Sequence, residues 1–211
     1  MKARSAWLSC LLVLAACRAV EVPRESFYRL ELPAAAAPDP QRAGVLRVHD
    51  LQLHTALDAG CLLRLDGVRL EVRPLSRWIA PLDRMVTDAV VLGLSRARVC
   101  ELVKGSADPG EHTWELRGRI VDFAEVAGVD GAHAAVALEL WLAAGDRLLF
   151  HDEFTSTEPV GAEGDHDAAV VAALSRAVGE VVGDVVARMR QNDLFAAARD
   201  GRSPALAAPV R

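Results

Sequence analysis

The dipeptide Asp66-Gly67 constrains this chain more tightly than any other pair of neighbours. Asp-Gly between two apolar runs signals a two-residue hairpin turn, because glycine takes up positive φ without steric cost. A loop made of these two residues pairs Leu65 with Val68, Leu63 with Leu70 and Cys61 with Val72. All six are apolar or thiol and share one face. Arg64, Arg69, Glu71 and Arg73 share the other, with Leu62 the one apolar exception. Side chains alternate along a strand with a period of two, so turn chemistry and alternation specify the same register.

The other elements follow from periodicity. Residues 27–32 and 45–53 read as strands, the second apolar on both faces in places and therefore central. The Ala/Pro-rich stretch 33–40 between them reads as an extended loop. A helix begins near Pro81, where the missing N–H costs nothing in the first turn, and Asp83 lies close to the positive end of its dipole. Leu82, Met85, Val86, Ala89 and Leu92 form its apolar stripe, and Arg96 and Arg98 close it. A short strand, 99–103, comes next, then a meander over 114–121, 134–143 and 148–154 with alternating apolar and polar positions and one wet face. A last helix spans 167–191 behind Asp165 as N-cap. Val171, Leu174, Val178, Val181, Val185 and Met189 repeat at intervals of three and four. Arg176, Glu180, Asp184 and Arg188 form its polar stripe, and Asp184 and Arg188 have the spacing of an ion pair. The order β-β-β-β-α-β-β-β-β-α predicts an α+β domain, a mainly antiparallel sheet with two helices packed on one face.

The N-terminus carries an address. Lys2 and Arg4 precede an apolar run from Trp7 to Ala16, and Leu14-Ala15-Ala16 leads directly into Cys17. Charged start, apolar middle and small-residue end are the parts of a secretory signal. The run is about ten residues, too short to span a bilayer, which takes about 20. The cysteine behind the small pair resembles the lipobox of bacterial lipoproteins. That resemblance implies cleavage before Cys17, a diacylglyceryl group on its thiol and fatty acylation such as palmitate on the new amine. Each buried methylene contributes about 0.8 kcal/mol, so two or three chains hold a domain firmly to a membrane. The expected organisation is a signal peptide over 1–16, a tether over 17–26, one domain over 27–195 and a disordered tail over 196–211.

Charge and cysteine count narrow the function. The whole chain carries −5, and loss of Lys2 and Arg4 with the signal takes the mature chain to −7. No basic face or polybasic patch is visible, which argues against nucleic acid as a partner. Cys61 and Cys100 remain besides Cys17: outside the cytoplasm they could form a disulfide, or each could be a small buried apolar residue.

The segment Arg77-Trp78-Ile79-Ala80-Pro81-Leu82 resembles the Arg-Trp-x-x-Pro-Leu stretch of the ABC-type transport auxiliary lipoproteins, the PqiC-like family. The lipobox, a Tyr28-Arg29-Leu30 strand soon after it, the Ala/Pro loop and the long C-terminal helix occur in the same order. Where members of that family often carry aromatic and histidine residues before the Trp, this chain has Pro74-Leu75-Ser76. The resemblance implies a non-enzymatic, lipid-anchored periplasmic accessory of an MCE/ABC lipid-transport system that docks the assembly at the outer membrane and supports membrane integrity. Its implied partners are an MCE-domain protein and ABC transporter components, with the membrane reached through the anchor. Arg18 stands where an inner-membrane retention signal would place Asp, which favours the outer membrane over the inner. The alternative is a free-standing envelope lipoprotein that scaffolds or activates cell-wall or outer-membrane assembly.

Arg77, Trp78 and Leu82 are the candidate partner interface, since an aromatic beside a guanidinium can bury apolar area while holding a carboxylate. The other reading of Trp78 is a core anchor at the helix entry. Gly179 and Gly183 allow close approach of another backbone, either within the chain or from a second copy in a homo-oligomer. No catalytic set, cofactor fingerprint or metal site stands out. Gly93-Leu94-Ser95-Arg96-Ala97 has the letters of a nucleophile elbow but falls inside a helix. His151-Asp152-Glu153 and Asp165-His166-Asp167 offer ligand types without the spacing that brings them onto one ion.

Overall fold

The computed structural model describes residues 24–33, 43–57 and 59–190. The signal segment, Cys17, the start of the tether, the Ala/Pro loop beyond Pro33 and the 196–211 tail lie outside them. Among the described residues the order is β1 (Ser26–Tyr28), β2 (Val45–Val48), β3 (Gln52–Leu53), β4 (Cys61–Asp66), β5 (Arg69–Trp78), α1 (Leu82–Arg96), β6 (Leu102–Lys104), β7 (Trp114–Gly128), β8 (Gly131–Ala144), β9 (Arg147–Pro159) and α2 (His166–Arg190).

The class is α+β with two helices, but the sheet is mixed, which corrects the antiparallel expectation. Five strand pairings are parallel (β1–β5, β2–β6, β2–β7, β3–β7 and β4–β7) and three antiparallel (β4–β5, β7–β8 and β8–β9). The cause is the length of β7. One of its edges pairs with β8 throughout. The other accepts three short strands in succession: β2 at Trp114–Leu116, β3 at Arg119–Ile120 and β4 at Glu125–Val126. The antiparallel ladders are long and join sequence neighbours through tight turns. The parallel ones are two or three residues long and join remote segments, which periodicity does not register.

The strand expected over 45–53 is broken. Between β2 and β3, Leu51 turns into the core, and its N–H donates to Thr87 Oγ1 at 3.0 Å. Thr87 is itself buried on α1 and donates back to the Asp83 carbonyl at 2.7 Å.

The 61–72 hairpin forms in a different register. Gly67 and Val68 are the two loop residues, and Asp66 pairs with Arg69, Leu65 with Leu70 and Leu63 with Val72. Gly67 has φ +57°, as the first central position of a II′-type turn requires. The shift is two residues, so the faces are preserved. What inverts on β5 is their environment, while Cys61 and Leu63 on the apolar face of β4 stay buried. Leu70 and Val72 are exposed, whereas Arg64 and Arg73 turn toward the helix layer.

The helices pack on each other and on one face of the sheet. In α2 every residue of the expected stripe, from Val171 to Met189, is buried. In α1, Leu82, Val86 and Ala89 are buried as expected, but Leu92 is exposed and Val90 and Leu94 take the inner positions. Gly93 lies on the contact with α2, where a Cβ would strike Val182 Cγ1. The end of α1 is a Schellman turn: Arg98 takes φ +50° and the Val99 N–H reaches the Leu94 carbonyl at 3.4 Å. Val99 and Leu94, both buried, supply the apolar contact of that motif.

Candidate partner surface

The candidate corner is mostly core. Trp78 is 6% exposed and Leu82 3%, which corrects their placement on an interface. The indole ring of Trp78 meets Phe123 edge-on, centroids 5.8 Å apart at 72°. Its backbone N–H donates to the Gly60 carbonyl at 3.0 Å. Arg77, one residue earlier on β5, points to the other face and reaches solvent, with Glu25 Oε1 3.8 Å from its guanidinium. Strand alternation separates the arginine from the tryptophan, so the two do not act as one patch.

Cys61 and Cys100 are both buried and both free, so the disulfide does not form. The Cys61 thiol faces the Pro74 carbonyl at 4.0 Å and the Cys100 thiol the Leu102 carbonyl at 3.2 Å. Burial pushes the Cys100 thiol above the usual range. Gly179 is held against Pro33, where an added Cβ would come within 2.7 Å of Cγ, so this glycine serves packing within the chain. Asp165 is the N-cap of α2, its Oδ1 accepting from the Asp167 N–H at 3.0 Å. Arg188 donates to Asp152 at 2.6 Å, across to β9, in place of the expected contact with Asp184. His151 turns to Glu139 while its neighbour Asp152 turns to Arg188, so these acidic and imidazole groups diverge. Among the described residues no three His, Cys, Asp or Glu side chains converge as metal ligands, and no helix is long and apolar enough to cross a membrane.

Two arrangements come from contacts between remote segments. The first lies beneath the hairpin. Glu125 on β7 is 1% exposed and accepts from Arg73 through Oε2 and from His166, 3.1 Å away, through Oε1. Arg73 bridges onward to Asp167, which also accepts from the buried Ser76 hydroxyl. Arg64 Nε stands 3.9 Å from Glu125. Two arginines and two carboxylates thus close the gap between the hairpin and the start of α2.

The second is the sheet face away from the helices. There Gln52, Arg119, Glu139, Trp141, Leu148 and His151 line an open depression of about 420 Å³. Glu139 accepts from Arg119 through Oε2 and contacts His151 Nε2 at 2.8 Å through Oε1. The His151 hydrogen bond holds this carboxyl below the usual glutamate range, with Arg119 adding to the effect. The imidazole also meets Trp141 edge-on at 5.6 Å. Further along β7, Glu115 is held low first by Arg117, with His49 contributing from 2.9 Å. An aromatic, an exposed leucine and fixed polar groups on an uncovered sheet face form a surface suited to a protein partner. Trp141 is legible in the sequence only as the one aromatic on the polar side of its strand.

Solved structures share this fold. Protein XCC0632 from Xanthomonas campestris is 20% identical with a TM-score of 0.69, covering 83% of this chain and 98% of that one. A second, uncharacterised protein is 16% identical with a TM-score of 0.63, covering 79% and 99%. Protein CT253 from Chlamydia trachomatis is 10% identical with a TM-score of 0.50, covering 71% and 99%. No curated protein matches the sequence significantly. Residues 28–186, which run from β1 through most of α2, match the ABC-type transport auxiliary lipoprotein component, and the chain belongs to that family.

Proposed function

We propose that this protein is the lipid-anchored periplasmic accessory of an MCE/ABC lipid-transport assembly, held by acyl chains on Cys17 and docking the assembly at the outer membrane. The observation that carries the transport reading is the family match over residues 28–186. The Leu14-Ala15-Ala16-Cys17 sequence supports the anchor, and Arg18 supports the outer-membrane side. The protein acts through surface, and the Trp141 face of the sheet is where the transport partner docks. Trp141 and Arg119 are residue types that dominate binding energy when a partner covers them, and Glu139 holds the Arg119 and His151 side chains in place.

The test is capture of the lipidated full chain from solubilised membranes with identification of what accompanies it. Co-purification of an MCE-domain protein with permease and ATPase subunits is expected. Trp141→Ala should weaken that capture at least about tenfold with an unchanged melt, as for a hot-spot side chain. Cell-wall or outer-membrane assembly factors in place of transporter subunits would favour the free-standing scaffold instead. Cys17→Ala should abolish acylation, and normal acyl labelling of that variant would refute the anchor.

A further inference from the structure

Among the described residues the fold leaves one concentration of large apolar side chains in solvent. Phe27, Val68, Leu70, Val72, Leu75 and Ile79 are all exposed, and all belong to β1, β5 or the residues bounding β5. At one end Phe27 sits beside Arg77 in the parallel β1–β5 ladder, and the Ile79 N–H donates to the Tyr28 carbonyl at 2.9 Å. At the other end Val68 is fully exposed at the hairpin tip. Between them Leu70 and Val72 project from the face opposite Arg73, at 40% and 49% exposure. The fold does not need them outside. The inner face of the Arg69–Arg73 half of β5 carries the ion pairs with Glu125 and Asp167, so along this half-strand the usual arrangement, apolar in and charged out, is reversed, while Cys61 and Leu63 on the neighbouring β4 stay buried. Apolar stripes of this kind on a folded domain mark a surface that something covers.

The tether says what covers it. Arg24 and Glu25 lead straight into β1, and Cys17 stands seven residues before Arg24. Seven residues reach at most about 25 Å when fully extended. Phe27 lies three residues further on, so a leaflet holding acyl chains on Cys17 lies within about 36 Å of the Phe27–Ile79 end of the stripe. The cation beside the stripe fits the same neighbour. Arg77, beside Phe27, is exposed and only loosely paired, with Glu25 at 3.8 Å. Aromatic and branched aliphatic side chains beside an arginine are what the boundary between headgroups and acyl chains accepts.

We propose that the β1–β5 stripe rests on the lipid leaflet that holds the anchor, with Phe27 and Ile79 at the headgroup boundary and Arg77 on a lipid phosphate. The proposal rests on the reading that Cys17 is acylated. It gives the domain a fixed orientation, because a second contact beside the anchor removes the freedom that a flexible tether alone would leave.

The experiment uses the full lipidated chain in vesicles of phosphatidylethanolamine and phosphatidylglycerol. An environment-sensitive fluorophore is attached to Val72→Cys, to Ile79→Cys or, as a control on the helix side, to Leu92→Cys, while the buried Cys61 and Cys100 stay unlabelled. Nitroxide lipids labelled near the headgroup then act as quenchers, and the mass of the mature chain reports acylation of Cys17. An acylated chain whose Val72 and Ile79 probes are quenched about twofold or more beyond the Leu92 probe is the expected result for a surface-lying element. An acylated, vesicle-bound chain with all three probes quenched alike overturns the lipid contact and leaves the transport reading standing. Disulfide cross-linking between copies through unlabelled Val72→Cys, without quenching, overturns it in favour of a second copy of the chain. An unacylated Cys17 overturns both the contact and the anchoring on which it rests.

Discussion

Arg73 on β5 donates to the Oε2 of Glu125, a carboxylate with almost no exposure, and so joins the hairpin to the central strand from the inside. A carboxylate withdrawn from water in this way is stabilised only while its donors remain. Arg73→Ala is expected to cost about 3 kcal/mol, because it leaves Glu125 and Asp167 short of a shared cation. Glu125→Leu together with Arg73→Met should cost less, since the buried carboxylate goes together with its cation and the partners that remain, Asp167, Arg64 and His166, all reach solvent. Urea unfolding of the two variants checks this, and equal losses would refute it.

Trp78→Ala is expected to lower stability by about 3–5 kcal/mol through loss of a large buried ring. Its edge contact with Phe123 goes with it. Arg77→Ala, at the solvent side of the same strand, should change stability by less than about 0.5 kcal/mol. Thermal melts of the two single variants give the contrast, and a Trp78→Ala protein that melts with the wild type would place the ring outside the core.

Gly93→Ala is expected to destabilise by about 1 kcal/mol. Overpacking against Val182 costs about 1–3 kcal/mol, and the better helix propensity of alanine offsets about 1. Val182→Ala makes room for the new methyl, so the double variant should be more stable than the sum of the two single changes predicts. A strictly additive cycle would show that α1 and α2 do not meet at this point.

The open sheet face should respond to acid. Glu115 and Glu139 have carboxyls held below the ordinary value of 4.5, by Arg117 and by His151 respectively. Their stabilising contribution is complete above pH 4.5 and is lost as pH falls through the lower values they have in the folded protein. Asp122 works in the opposite sense. Burial raises its carboxyl above 3.8, so its contribution is present in acid and is lost as pH rises through the raised value. Melting temperatures between pH 7 and pH 3 should fall more steeply for the wild type than for Glu115→Gln/Glu139→Gln. Parallel curves would show that these pairs do not stabilise the fold.

Much of this architecture was legible from local pattern. Both helices, the turn at Gly67, the three long strands and the Asp165 cap each follow from residues close together in the chain. The mixed sheet was not, because the pairing of β2, β3 and β4 with β7 depends on segments tens of residues apart. The corner at Trp78 shows the same limit on a smaller scale. Arg77-Trp78 reads as a unit in sequence, yet alternation sends one side chain to solvent and the other against Phe123. The hairpin misled in a more instructive way. Its faces were legible, but nothing local reveals that Glu125 and Asp167 wait on the inner side for its arginines.

The short first strand carries a mechanical consequence. A pull on the N-terminal side of the chain reaches the domain through β1, which has only three ladder partners on β5. Two further fastenings lie just behind it, the Tyr28 hydroxyl on Asp165 at 3.4 Å and the Glu31 N–H on Ser175 Oγ at 3.1 Å, and both lead to α2. Load entering at the N-terminus is thereby shared between the edge of the sheet and the longest helix. The edge strand would peel first, and the helix fastenings would keep the rest of the domain moored while it does.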